Sequence, residues 1–391
     1  MRRPACLTLL LLAAVALAGC RTASAPPDYA RPLPPGAKAL RPVPEAWRGP
    51  IFATVADQLD DADFVTALGR SYDWFRIASA KTHFPVEGVT YDRARATIDA
   101  LWELAQNPDA ATRESELHRR FNAYESVGYN GEGILLYTGY FSPQFTASRT
   151  RQGPFQFPLY QRPDDLRSDP ATGQILGREH PRTGAIGPYP ARAEIEGGAL
   201  LAGQELVWLP SRLDAFTIEV NGSAKLNLTD GSEMLVGYAG TNGREYTSIG
   251  RRLVADGVLD KNTVSMPTIR KHFRERPDRL DHYIRQNDRF VFFREYAGSD
   301  WPAGSLGFRV QDGRSLATDK KIFPRGGVVL ASTELADGST FRRLMLDQDT
   351  GGAIRAPGRA DLYFGIGDAA ERKAGSQAAE GRLFYVFLLP E

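Results

Sequence analysis

The chain has 391 residues, with 48 Lys and Arg against 47 Asp and Glu, a formal net charge of +1, and 42% hydrophobic residues. Length and apolar content allow one or two domains with ordinary cores, and the near-neutral balance gives no electrostatic case for nucleic acid. The two cysteines are Cys6 and Cys20, so disulfides, thiolate catalysis and cysteine-ligated metals are excluded from the chain beyond them.

Arg2 and Arg3 followed by an apolar run over residues 7–17 form an export signal. The run is too short to span a bilayer, which takes about 20 residues. It ends in Leu17-Ala18-Gly19-Cys20, which resembles a bacterial lipobox. That resemblance implies removal of residues 1–19 and lipidation of Cys20, which makes the lipid bilayer a partner. With Arg21 rather than Asp next to the cysteine, it implies an outer-membrane lipoprotein facing the periplasm. Losing Arg2 and Arg3 turns the charge from +1 to −1. Residues 21–50 carry eight prolines and almost no apolar periodicity, so residues 20–50 read as an extended, lipid-anchored tether.

From about 54 to 125 the apolar residues Val55, Leu59, Phe64, Leu68, Tyr72 and Phe75, then Ile98, Leu101, Trp102 and Leu104, recur at helical spacing. After that the period shortens. Strands are predicted over 133–141, 208–220 and 224–236, the last folded at Asp230-Gly231. Helical patches interrupt at 248–256, 267–276 and 280–285. Strands resume at 290–293, 328–331, 344–346, 362–364 and 383–389. Many short strands with glycine turns predict a mainly β protein with N-terminal helices, built as a barrel or sandwich.

The five histidines are scattered without ligand spacing, and neither a G-x-S-x-G elbow nor a phosphate-binding loop occurs. No metal or cofactor is expected. What remains is carboxylate chemistry. Asp349 and Asp361 lie twelve residues apart in apolar, glycine-rich chain, and carboxylates in such surroundings need partners or a raised pKa. Asp349-Thr350-Gly351 has the look of an aspartic protease motif, but the second D-[ST]-G that such a dyad needs in one chain is missing. Glycosidic cleavage fits better, because it requires a carboxylic acid that stays protonated near neutral pH. In the alternating segment 361–364, Asp361 and Tyr363 face one way and Leu362 and Phe364 the other. Charge on a nearby Asp349 is expected to raise the pKa of Asp361. The competing reading is that both aspartates cap turns.

The ordered blocks Tyr137-Thr138-Gly139-Tyr140-Phe141-Ser142-Pro143, Arg149-Thr150-Arg151-Gln152-Gly153, Tyr238-Ala239-Gly240-Thr241-Asn242-Gly243, Tyr246-Thr247-Ser248-Ile249-Gly250, Asn287-Asp288-Arg289-Phe290-Val291-Phe292-Phe293, Ala317-Thr318-Asp319 and the aspartate stretch resemble the membrane-bound lytic murein transglycosylase A family. The resemblance implies a double-psi β-barrel from residues 51–144 and 288–391, with an inserted β domain at 145–287 and a groove between them. Its C-terminal part resembles a 3D module, for which Asp319, Asp349 and Asp361 are the candidate aspartates. It further implies non-hydrolytic cleavage of the β-1,4 bond between N-acetylmuramic acid and N-acetylglucosamine in peptidoglycan glycan strands, giving a 1,6-anhydro end. Asp361 would be the catalytic acid and Asp349 its supporting carboxylate, with no cofactor. Thr138, Tyr140, Tyr246 and Asp319 are candidates for substrate contact, and cell-wall synthesis or hydrolysis proteins are possible partners. The segment between the two aspartates is one residue longer than the family spacing, with Pro357-Gly358 as a turn that absorbs it. The alternatives are an expansin-like peptidoglycan-binding module without activity and a two-carboxylate glycoside hydrolase.

Overall fold

The computed structural model describes residues 27–170, 173–261 and 263–390. The signal peptide at 1–19, the lipidation site Cys20 and Arg21 lie outside them.

Six strands close on themselves. They are β1 (Leu135–Ser142), β2 (Ser315–Ala317), β3 (Val328–Glu334), β4 (Thr340–Asp349), β5 (Arg359–Ile366) and β6 (Ala378–Leu388). Going round, β1 pairs parallel with β5, β5 antiparallel with β2, and β2 parallel with β4. Then β4 pairs antiparallel with β3, β3 with β6, and β6 returns antiparallel to β1. A closed ring leaves no free edge among these strands. Leu316, Leu330, Leu344, Leu346, Leu362 and Tyr385 fill its apolar core.

The N-terminal helices lie on this body at Gly49–Gln58, Ala62–Trp74, Tyr91–Ala105 and Ala110–Arg120. Asp61, Thr90 and Asp109 cap the last three by accepting a backbone N–H in the first turn, each contributing about 1 kcal/mol. The predicted helical region ends earlier than 125, because Phe121–Ser126 is a strand on the outer edge of β6. Leu40–Pro42 pairs with it in turn. The Tyr29 hydroxyl donates to Glu380 at 2.7 Å, and its ring meets Tyr129. The folded body therefore takes in much of the stretch read as a tether up to residue 50.

Between β1 and β2 the chain builds a second body. Its main sheet runs in the order Val291–Tyr296, Glu233–Thr241, Ser223–Leu228, Gln144–Ala147 over a core of Val207, Leu226, Val236 and Phe293. The hairpin at Asp230-Gly231 forms as predicted. The strand predicted over 208–220 does not. A strand covers only Glu205–Leu209, and Arg212–Asn221 is a helix. Ser211 accepts from the Asp214 N–H to start it, and Gly222 takes φ 75° to end it, so capping chemistry overrides an apolar run that carries no clear period. Leu213 and Phe216 on that helix pack with Ile249, Leu253, Phe273 and Tyr283 in a helical cluster of this body.

Candidate active site

Register across four neighbouring strands builds the site. Thr138 on β1 pairs with Asp361 on β5, Asp361 with Ala317 on β2, and Ala317 with Asp349 on β4. Residues opposite one another in a sheet share a face, so Thr138, Asp361, Ala317 and Asp349 form one row. The two carboxylates flank a methyl group. The adjoining row, Gly139, Leu362, Leu316 and Asp347, faces the other way, where Leu316 and Leu362 are core residues.

A bulge makes this arrangement. Leu316 pairs with Asp347 but Ala317 pairs with Asp349, so Gln348 is one residue too many for β2. Alternation alone would turn Asp347 and Asp349 to the same face. The extra residue turns them to opposite faces. Gln348 is buried, and its amide donates to Ala67 O at 2.7 Å and to the Ser71 hydroxyl at 3.0 Å, while its Oε1 accepts from Ser315 at 2.7 Å. The bulge is thus tied to the second N-terminal helix.

On the outer row, the Asp361 side chain is 17% exposed. Its Oδ1 accepts from the Thr138 hydroxyl and lies 3.5 Å from Arg359 Nη2, which itself donates to Thr138 at 2.8 Å. No hydrogen bond to Oδ2 occurs among the described residues. Burial raises the Asp361 pKa, and Arg359 partly offsets this. The expected cause was charge on Asp349; removal from water is what lifts it. Asp349 is itself pushed up to about 6 by burial, against the Thr350 N–H, the Tyr140 hydroxyl, the Ser305 N–H and the positive charge of Lys320. Its Oδ1 accepts from the Thr350 and Ser305 N–H groups, each at 2.8 Å. A Cβ on Gly304 would sit 3.3 Å from the Asp349 Cγ and 2.8 Å from Gln348 O. That glycine lets backbone press directly on the carboxylate.

Tyr140, on β1, sets its ring 5.0 Å from that of Tyr363 at an interplanar angle of 49°. Its hydroxyl is buried beside the Asp349 carboxylate, and burial and then the charge of Asp349 push its pKa well above the ordinary value. Tyr246 stands across the seam on the second body, where it meets Gly352. A Cβ on Gly352 would lie 3.4 Å from Tyr246 Cβ and 3.5 Å from the Arg289 guanidinium. Asp319 is occupied with backbone. Its carboxylate accepts from the N–H of Lys321 at 3.0 Å and of Ala356 at 2.9 Å, and Ala356 has φ 65°. Asp319 therefore clamps the strained part of the longer inter-aspartate loop.

Behind the site lies a group that sequence reasoning passed over. Asp347, fully buried, is ion-paired to Lys320 and accepts from Thr318 at 2.8 Å and Tyr385 at 2.6 Å. Burial lowers the Lys320 pKa to about 8 despite the attraction of Asp347 and Asp349. The signal was present as the only charge in Leu344-Met345-Leu346-Asp347, but without the bulge its direction was unreadable. The hollows lined by Tyr189 and Arg244 and by Arg162 and Tyr238 include neither aspartate.

Comparison with known proteins agrees with this layout. Residues 136–294 match the model of the MltA specific insert domain, and residues 314–387 match the 3D domain. The chain is 33% identical over 278 residues to the membrane-bound lytic murein transglycosylase A of Escherichia coli (strain K12), covering 69% of this chain and 70% of that one. A membrane-bound lytic murein transglycosylase from Agrobacterium tumefaciens superposes with a TM-score of 0.75 at 25% identity, over 90% of this chain and 98% of that one. E. coli MltA with bound chitohexaose superposes with a TM-score of 0.62 at 26% identity, over 93% and 96%.

Proposed function

The chain belongs to the membrane-bound lytic murein transglycosylase A family, and from that premise we propose that it is a peptidoglycan lytic transglycosylase whose single catalytic acid and base is Asp361. The glycan strand would run between a double-psi barrel and the inserted domain, past the row formed by Thr138, Asp361, Ala317 and Asp349. The observation that carries the assignment is the state of Asp361, which is mostly withdrawn from water, held at Oδ1 by Thr138 and free at Oδ2. A sugar covering it removes the remaining water and raises its pKa further, which favours the acid form needed at the start.

In the first step Oδ2 of Asp361 gives its proton to the glycosidic oxygen, and the bond from that oxygen to C1 of the muramoyl residue breaks. The positive charge left at C1 and the ring oxygen is stabilised by the Asp349 carboxylate, which with a pKa of about 6 is mostly ionised at neutral pH. In the second step the muramoyl C6 hydroxyl attacks C1, and its proton passes to Asp361. The acid is restored and a 1,6-anhydro end is formed, so no water is consumed. Each step leaves Asp361 in the form the other requires.

A second reading exchanges the two aspartates, and the pKa of about 6 at Asp349 favours it. Against it, two backbone N–H groups converge on the Asp349 oxygen, which suits a carboxylate that stays charged. The proposed anchor at Cys20 would hold the enzyme on the outer membrane. Incubation of the detergent-solubilised protein with murein sacculi tests the reaction. Anhydro-muropeptides are the expected product. Reducing-end products alone would indicate a hydrolase, and retention on sacculi without release would indicate a binding module.

A further inference from the structure

One cation at the seam between the two bodies has no ion pair of its own among the described residues. Among the described residues, the half-buried Arg289 side chain makes no hydrogen bond and no ion pair. Its backbone is held firmly, since Arg289 O accepts from the buried Arg192 guanidinium at 2.6 Å, and the next N–H, that of Phe290, donates to the buried Asn242 at 2.9 Å. The guanidinium rests beside Gly352, three residues beyond Asp349, and near Tyr246. Arg355 approaches from the loop and is bound to Glu245 at 2.9 Å, a carboxylate that is otherwise 85% exposed. Burial lowers the Arg289 pKa and the like charge of Arg355 adds to this, against the opposing influence of Tyr238 and Glu245.

A half-buried guanidinium that no protein acceptor engages keeps its donors open to an arriving group. An arriving carboxylate meets it in two parallel hydrogen bonds, a geometry that arginine provides and lysine does not. The neutral sugar rings of a glycan strand offer no such group. The peptide stems borne by muramoyl residues do.

We propose that Arg289 is a specificity-determining residue which binds a free carboxylate of the peptide stem on a muramoyl residue lying near Asp349. This rests on the reading of the protein as a peptidoglycan lytic transglycosylase. The structure thereby separates two kinds of contact, with sugars read by the row on the barrel and peptide charge read at Arg289.

The test compares native sacculi with sacculi whose peptide carboxylates have been converted to amides, which leaves the glycan unchanged. The full-length protein in detergent is expected to cleave the amidated material about tenfold less efficiently, through apparent KM rather than kcat, the size of one charge-assisted pair. Arg289→Gln is expected to lose about tenfold on native sacculi and to treat the two substrates alike. Arg289→Lys should keep part of the discrimination. The inference is overturned if the unsubstituted protein is indifferent to amidation, which needs no variant and no assumption about folding. It is equally overturned if Arg289→Gln slows both substrates to the same extent or still discriminates between them. Failure of the unsubstituted protein to release any glycan product from native sacculi would instead remove the proposed function itself.

Discussion

Asp347 and Asp349 are separated by one residue on the same strand, yet they belong to different parts of the molecule. Asp347 faces the barrel interior, where Lys320, Thr318 and Tyr385 satisfy its oxygens and compensate its charge. Asp349 faces the outer row, accepts two backbone N–H groups and sits at a pKa of about 6. Burial acts on both, so burial does not distinguish them. Compensation does. A carboxylate with a cation and two hydroxyl donors is a structural part, whereas one left to titrate near neutrality is available for chemistry.

The sharpest way to break this comparison is to neutralise one member of each row. Asp361→Asn keeps the shape of the outer row and removes its acid. General acid and base catalysis contributes about 10²–10⁴-fold, and the proposed use of one group in both steps puts the expected loss at or above the top of that range. Thermal unfolding should not occur at a lower temperature, since Asn still accepts from Thr138 and removes a carboxylate whose charge burial disfavours. Release of soluble muropeptides and a melting curve measure the two halves. Full activity in Asp361→Asn with loss in Asp349→Asn would exchange their roles.

Asp347→Asn should do the reverse at the level of stability. It leaves Lys320 buried at 4% side-chain exposure without its counter-charge, and breaking such a pair costs about 3–5 kcal/mol. Denaturant unfolding should show that loss. If the variant is as stable as the parent, the inner row is not the structural element described here.

Much of the outer row could be read before any coordinates. The alternation through Asp361, Leu362, Tyr363 and Phe364 predicted a strand with the aspartate and tyrosine on one side, and Leu362 duly lies in the core while Tyr363 bonds Ser142. What could not be read depends on partners distant in sequence. The bulge at Gln348 exists because Ala67, Ser71 and Ser315 hold its side chain, and no local pattern announces those three. Without it, period-2 counting sets Asp347 beside Asp349. Asp319 shows the same limit, for no local pattern pairs its carboxylate with the N–H of Ala356, which it accepts together with that of Lys321. The helix at Arg212–Asn221 was legible in its Ser211 and Gly222 caps but was outweighed by its apolar content.

The smallest effect is the one that probes compensation most directly. The Asp349 pKa is raised on folding from the usual 3.8 to about 6, so the folded state holds the proton more tightly than the unfolded chain does. Stability from that preference is fully present below the unfolded pKa, falls as pH rises from about 4 to 6, and is gone above it. At pH 7 the ionised Asp349 is therefore a liability of about 1–3 kcal/mol. Asp349→Asn removes the charge and keeps an oxygen to accept from Thr350 and Ser305. It should unfold at a higher temperature than the parent at pH 7, and the difference should vanish near pH 4. Activity of the parent should fall over the same interval as Asp349 takes up its proton and can no longer serve in its proposed role of stabilising positive charge at C1. A variant that is less stable at pH 7, or a gap that does not close on acidification, would mean that Asp349 is compensated as fully as Asp347, and the contrast between the two rows would lose its basis.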